Sequence, residues 1–184
     1  REPKPFDAGL TPAVDLYLLE IARSFESWVV LGRTGGNFDE IRFADLGLDP
    51  AKRYVVFEYW QRRGDAAGHT TSFVPGPLPT PFNAQVFIIR ERFDRPQVVA
   101  TNRHITGGGV DLVDVSWTDG VLSGRSRVVA NDPYELYLTE PGGWRLDGIE
   151  CAGAAATPTR RDAGMVVAGS LPTASSEIGW RARF

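Results

Sequence analysis

DLVDVSWTDGVLSGRSRVV, residues 111–129, reads as a β-hairpin, and that reading sets the fold class. Val113, Val115 and Trp117 alternate with polar residues, the two-residue period of a strand with one buried face. Asp119-Gly120 supplies the positive φ angles that a tight two-residue turn demands. Counting outward from that turn, Trp117 faces Leu122 and Val115 faces Gly124, a large side chain set against a missing one. Similar runs lie on both sides: WVVLGR at 28–33, YVVFEYW at 54–60, AQVFIIRE at 84–91, QVVAT at 97–101 and YELYLT at 134–139. Further strands are expected at 144–150, 165–169 and 177–184; in the last, Ile178, Trp180, Ala182 and Phe184 share a face.

The connections fit the same class. Val14, Leu16 and Leu18 alternate, which favours a strand over a short helix at 14–22. Thr34-Gly35-Gly36-Asn37 is a turn, and Phe38, Ile41 and Phe43 suggest a short strand that Gly47 and Pro50 end. The long Pro-rich connection at 61–81 has room for one short strand near residues 70–74. The 20 Gly and 13 Pro suit frequent turns better than a helix bundle. We expect an all-β chain, an antiparallel β-sandwich, with residues 1–13 a linker and residues 14–184 one domain.

Composition narrows the partners. The net charge of −3 gives no reason to expect nucleic acid or an anionic membrane. No apolar run has the length of a membrane span, and no signal peptide begins the chain, which leaves the compartment open. Starting at Arg1 without Met, the chain reads as a processed product or an excised piece. All but two of the 20 basic residues are Arg, a bias expected of a GC-rich bacterial genome. Cys151 is the single cysteine, which excludes an intrachain disulfide and a cysteine metal site; its apolar setting suggests an inert thiol.

Few residues have the types and spacing that chemistry needs. His104 with Asp111 has the types for acid or base and orienting group, but no nucleophile stands nearby, and the segment reads better as a strand end followed by a glycine-rich turn. Gly107-Gly108-Gly109 lacks the spacing of a phosphate loop, and two isolated histidines, His69 and His104, give no metal-ligand pattern. Glycoside hydrolysis needs two carboxylates across a sugar, but the pairs Asp39/Glu40, Asp111/Asp114 and Asp147/Glu150 read as solvated strand or turn residues. No catalytic residue, metal or cofactor is therefore expected. Of the five tryptophans, Trp117 and Trp180 lie on core faces, whereas Trp60 and Trp144 flank turns. Trp60 and Trp144, with Asn102 and Arg103, are the candidate carbohydrate-binding residues.

The order of several phrases resembles a known family. WVVLGR, then FADLGLD at 43–49, then YVVFEYW are similar to the C-terminal β-domain of α-galactosidase-type glycoside hydrolases. ATNRHITGGGVDL at 100–112, VSWTDGVLSGRS at 115–126 and YELYLTEPGGW at 134–144 resemble its later part, so the likeness covers roughly residues 26–146. The resemblance implies a non-catalytic accessory domain that packs against and stabilises the catalytic barrel of the same parent chain. That (β/α)8 barrel, with its two catalytic Asp, takes about 250 residues, so none of its motifs has a matching position here. The alternative is a stand-alone carbohydrate-binding module that uses exposed aromatics.

Overall fold

The computed structural model describes residues 4–5, 15–79, 83–161, 163–174 and 176–184. The strands are β1 (Lys4–Pro5), β2 (Leu16–Ala22), β3 (Ser27–Arg33), β4 (Ile41–Arg42), β5 (Tyr54–Glu58), β6 (Arg63–Gly64), β7 (Ser72–Phe73) and β8 (Gln85–Glu91). They continue with β9 (Val98–Thr101), β10 (Leu112–Thr118), β11 (Val121–Val128), β12 (Tyr134–Thr139), β13 (Gly148–Cys151), β14 (Ala156–Arg160), β15 (Met165–Ser170) and β16 (Ser176–Arg183). A 3-10 turn, Phe43–Leu46, follows β4. The fold is all-β, with antiparallel sheets packed in a sandwich-like arrangement.

Three sheets make the body. A six-stranded sheet has the order β1-β2-β3-β8-β5-β6, a middle sheet β14-β15-β12-β9, and an outer sheet β10-β11-β16-β13. Alternation of side chains explains the stacking. From β12 and β15, Leu136, Leu138, Val166 and Ala168 join Leu122, Ile178 and Trp180 of the outer sheet in one core. From the same two strands, Tyr137, Met165 and Val167 join Trp28, Val30, Val55, Phe57 and Ile88 of the six-stranded sheet in a second core. The middle sheet thus has no solvent face along these strands.

The six-stranded sheet is also covered on its far side. Val29, Leu31, Val56, Phe87 and Ile89 pack beneath Ile41, Phe43, Leu46 and Phe73, supplied by the small β4–β7 ribbon and the 3-10 turn. This double burial is why YVVFE and QVFII read as continuous apolar runs rather than alternating ones.

The 111–129 hairpin forms in the expected register, Trp117 opposite Leu122 and Val115 opposite Gly124. Asp119 and Gly120 adopt φ of 49° and 78°. Val113 departs from simple alternation, because a bulge between Leu112 and Asp114 leaves it without a register partner. Other boundaries shift. YVVFEYW stops pairing at Glu58, since Tyr59 and Trp60 enter a turn, and the strand expected at 144–150 begins only at Gly148. Phe43 opens the 3-10 turn instead of extending β4. Of the expected linker 1–13, all but Lys4–Pro5 lies outside the described residues, and those two pair with β2.

Candidate functional site

The 102–111 loop is held from within. Arg90, 0% exposed, donates from Nε to the Val99 carbonyl and from Nη2 to the Gly107 carbonyl, both at 2.8 Å. Its Nη1 forms an ion pair with Glu26 at 2.8 Å, and its guanidinium lies 3.6 Å over the Trp28 ring. Burial lowers the Arg90 pKa, and Glu26 opposes that shift. The Trp28 indole N–H donates to the Thr106 carbonyl at 2.9 Å. Gly107 and Gly108 have φ of 62° and 109°, and a β carbon on them would lie 2.6 Å from Ile88 and 2.4 Å from Leu112. These glycines close the loop onto the core.

His104 and Asp111 are not joined by any hydrogen bond or ion pair among the described residues. The exposed His104 meets Thr106 Oγ1 at 3.1 Å through Nδ1. Asp111 is buried and accepts the Tyr134 hydroxyl at 2.7 Å. That hydroxyl also lies 2.8 Å from Ser126 Oγ, which accepts the Trp180 indole N–H at 2.9 Å. Because the phenol proton points to the carboxylate, Ser126 donates to Tyr134, and a buried relay links the loop to β11, β12 and β16. Burial raises the Asp111 pKa against the lowering effect of the Tyr134 hydrogen bond.

The four carbohydrate candidates do not form one constellation. Asn102 is engaged at both ends of its amide, donating to the Pro133 carbonyl and accepting from the Glu135 N–H, each at 2.9 Å. Arg103 pairs with Asp132 and lies 5.8 Å from the Tyr134 ring centroid. Trp144 is half-buried and stacks edge-on with Trp117 at 5.0 Å, near the tip of the β10–β11 hairpin. Trp60 alone is largely exposed, at 53%.

Trp60 stands on the rim of a small aromatic cavity of about 160 Å³ lined by Phe57, Tyr59, Trp60, Arg62, Asn102 and Tyr137. The 59–62 turn between β5 and β6 builds it. Glu58 pins that turn by accepting the Gln61 N–H at 2.5 Å, and Arg62 takes a left-handed φ of 54°, which is strained for a residue with a β carbon. Phe57 and Tyr137 pack with centroids 4.7 Å apart, and Tyr59 meets Trp60 edge-on at 5.1 Å. The Tyr59 hydroxyl donates to the Asn102 carbonyl at 2.8 Å. Glu135 accepts from Tyr137 at 2.5 Å and from Arg62 at 2.9 Å. Tyr59 and Trp60 were legible as an aromatic pair; Arg62 and Tyr137 were not, since Tyr137 arrives from a distant strand and nothing in QRRGD announces a left-handed Arg.

A larger open groove of about 610 Å³ crosses the outer sheet, lined by Asp114, Ser123, Arg125, Glu150, Gly179 and Arg181 among others. Most of its charges are internally matched. Arg125 pairs with Asp114 at 2.6 Å and with Glu177 at 3.2 Å, and Glu150 pairs with Arg183 at 2.5 Å. Cys151 is half-buried at its edge, and burial pushes its thiol up. Among the described residues, no group of three His, Cys, Asp or Glu is placed to hold a metal ion. No helix among the described residues is long and apolar enough to cross a membrane, which says nothing of strands. Comparison with protein-family models, with curated proteins and with solved structures found no match to this chain.

Proposed function

We propose that this chain is a non-catalytic accessory domain of a glycoside hydrolase resembling the α-galactosidases, packing against a catalytic barrel carried elsewhere in the parent chain. The observation that carries the reading is the use made of the polar residues in the resembling segment. Arg90, Asp111, Asn102 and Tyr134 each bond to loop backbone or to a neighbouring strand, and so bind sheets and loops into a stiff body. The all-β sandwich-like fold that the resemblance implies agrees with this role, and the phrases behind it fall on β3, the 3-10 turn, β5, the 102–111 loop, the β10–β11 hairpin and β12. Fold and role remain separable, so the role needs its own test.

That test starts with the full transcript that encodes residues 1–184. A barrel-sized segment of alternating strands and helices in the same reading frame supports the proposal. Deleting residues 1–184 from that longer protein should then lower its melting temperature and hydrolytic half-life. A transcript encoding no such segment, or a longer protein indifferent to the deletion, refutes it.

A further inference from the structure

We infer that the aromatic cavity beside Trp60 is a binding site for one terminal sugar ring, a neutral hexose at the end of a glycan. The inference stands whether or not a catalytic barrel accompanies the domain. Four aromatic rings, Phe57, Tyr59, Trp60 and Tyr137, surround about 160 Å³. At roughly 30 Å³ per water that is room for about five waters, well below the several hundred Å³ of a typical drug-sized pocket. The cavity therefore takes part of a single ring and excludes an oligosaccharide lying along the surface.

Its walls and rim differ in chemistry. Phe57 and Tyr137 are 1% and 2% exposed and form an apolar floor. Trp60, Arg62 and Asn102 complete the lining, and because the Asn102 amide is already bonded to Pro133 and Glu135, Arg62 is the main source of donors. Arg62 uses Nη1 on Glu135 and keeps other donors free to turn toward a hydroxyl. An aromatic lining with a guanidinium donor beside it matches a pyranose, which has C–H groups on one face and hydroxyls around its edge. The Arg62–Glu135 pair at 2.9 Å leaves little unbalanced charge at the rim, which favours a neutral ring over a uronate.

Two features mark the site as built. Arg62 holds a left-handed φ of 54° at the turn that lifts Trp60, a conformation that costs about 1–3 kcal/mol where nothing compensates it. Trp60 is a large aromatic left 53% exposed, although β5, which ends two residues earlier at Glu58, is buried throughout. A groove of aromatics can instead hold a Pro-rich peptide. The polar rim argues for the sugar, and the experiment separates the two.

Isothermal titration of the 184-residue protein against galactose, glucose, mannose and N-acetylglucosamine, and against a Pro-rich decapeptide, decides the matter. Saturable binding of at least one hexose is expected, weakened about tenfold in Trp60→Ala and unchanged in Trp144→Ala, whose ring lies with Trp117 instead. Trp60→Ala should melt with the parent, so loss of binding is not loss of fold. No saturation by any of the four sugars, binding that survives Trp60→Ala, or binding of the peptide alone would each overturn the inference. None of these outcomes touches the accessory-domain reading, which stands or falls on the deletion experiment.

Discussion

Gly124→Ala puts the packing of the outer sheet to a quantitative test. A β carbon there would lie 2.4 Å from the Asp114 carbonyl oxygen and 2.6 Å from Trp180 Cζ2. Favourable carbon contacts begin near 3.5 Å, so both neighbours would have to move. The carbonyl belongs to the β10 backbone at its bulge, and Trp180 is 1% exposed with its indole N–H on Ser126. One extra methyl in a filled site costs about 1–3 kcal/mol. Replacing Gly in an extended strand returns about 0.5–1 kcal/mol through reduced freedom of the unfolded chain. Subtracting the two leaves a net loss of up to about 2.5 kcal/mol, centred near 1 kcal/mol, and each kcal/mol lowers the melting temperature by about 2–4 °C for a chain of this size. Gly179→Ala is the matched control: it sits on β16 opposite Arg125, and a β carbon there meets nothing within 4 Å. It should gain about 0.5 kcal/mol. Urea unfolding followed by tryptophan fluorescence reads both. A Gly124→Ala protein as stable as the parent, or a Gly179→Ala protein equally damaged, would refute the reasoning.

Other substitutions probe the interior. Arg90→Met leaves Glu26 without its partner and the Val99 and Gly107 carbonyls without a donor, and should lose about 3–5 kcal/mol in urea unfolding. Restoring full stability by adding Glu26→Gln would show that the carbonyls matter little. Asn102→Ala removes two hydrogen bonds and should lose about 2 kcal/mol, whereas exposed Trp60→Ala should stay within about 0.5 kcal/mol in thermal melts. Asp111 carries a pH dependence, because its folded-state pKa is raised by burial. A raised carboxyl favours the protonated form, so stability is lost as pH climbs from the ordinary carboxylate range through the folded pKa. Unfolding measured from pH 4 to 8 should show Asp111→Asn gaining on the parent as pH rises; a constant difference would exclude the effect.

Local chemistry made some elements legible and long-range pairing hid others. The β10–β11 register followed from Asp119-Gly120, because a two-residue turn leaves one way to pair its strands. YELYLT at β12 matched to the residue, bounded by Pro133 and the Pro141-Gly142-Gly143 turn. β14, ATPTR, escaped notice: it lies on a sheet edge, is mostly exposed and carries Pro158, so it lacks both alternation and apolar content. The doubling of the core was also hidden, since apolar residues on both faces of a strand do not say which sheets cover them. The same limit applied to the site. Trp60 and Trp144 look alike in sequence, yet Trp144 meets Trp117 across the hairpin tip while Trp60 finds Tyr137 from the middle sheet.

The order in which the middle sheet is made has a consequence on the ribosome. The six-stranded sheet has all its central strands once β8 ends at Glu91. Its face of Trp28, Val30, Val55, Phe57 and Ile88 gains a full cover only when Met165 and Val167 of β15 emerge. At about 5–20 residues per second, that face waits about 4–15 s, open to other nascent chains. Slow translation between β9 and β15 should therefore favour inclusion bodies, and faster elongation or a holding chaperone should favour the folded protein.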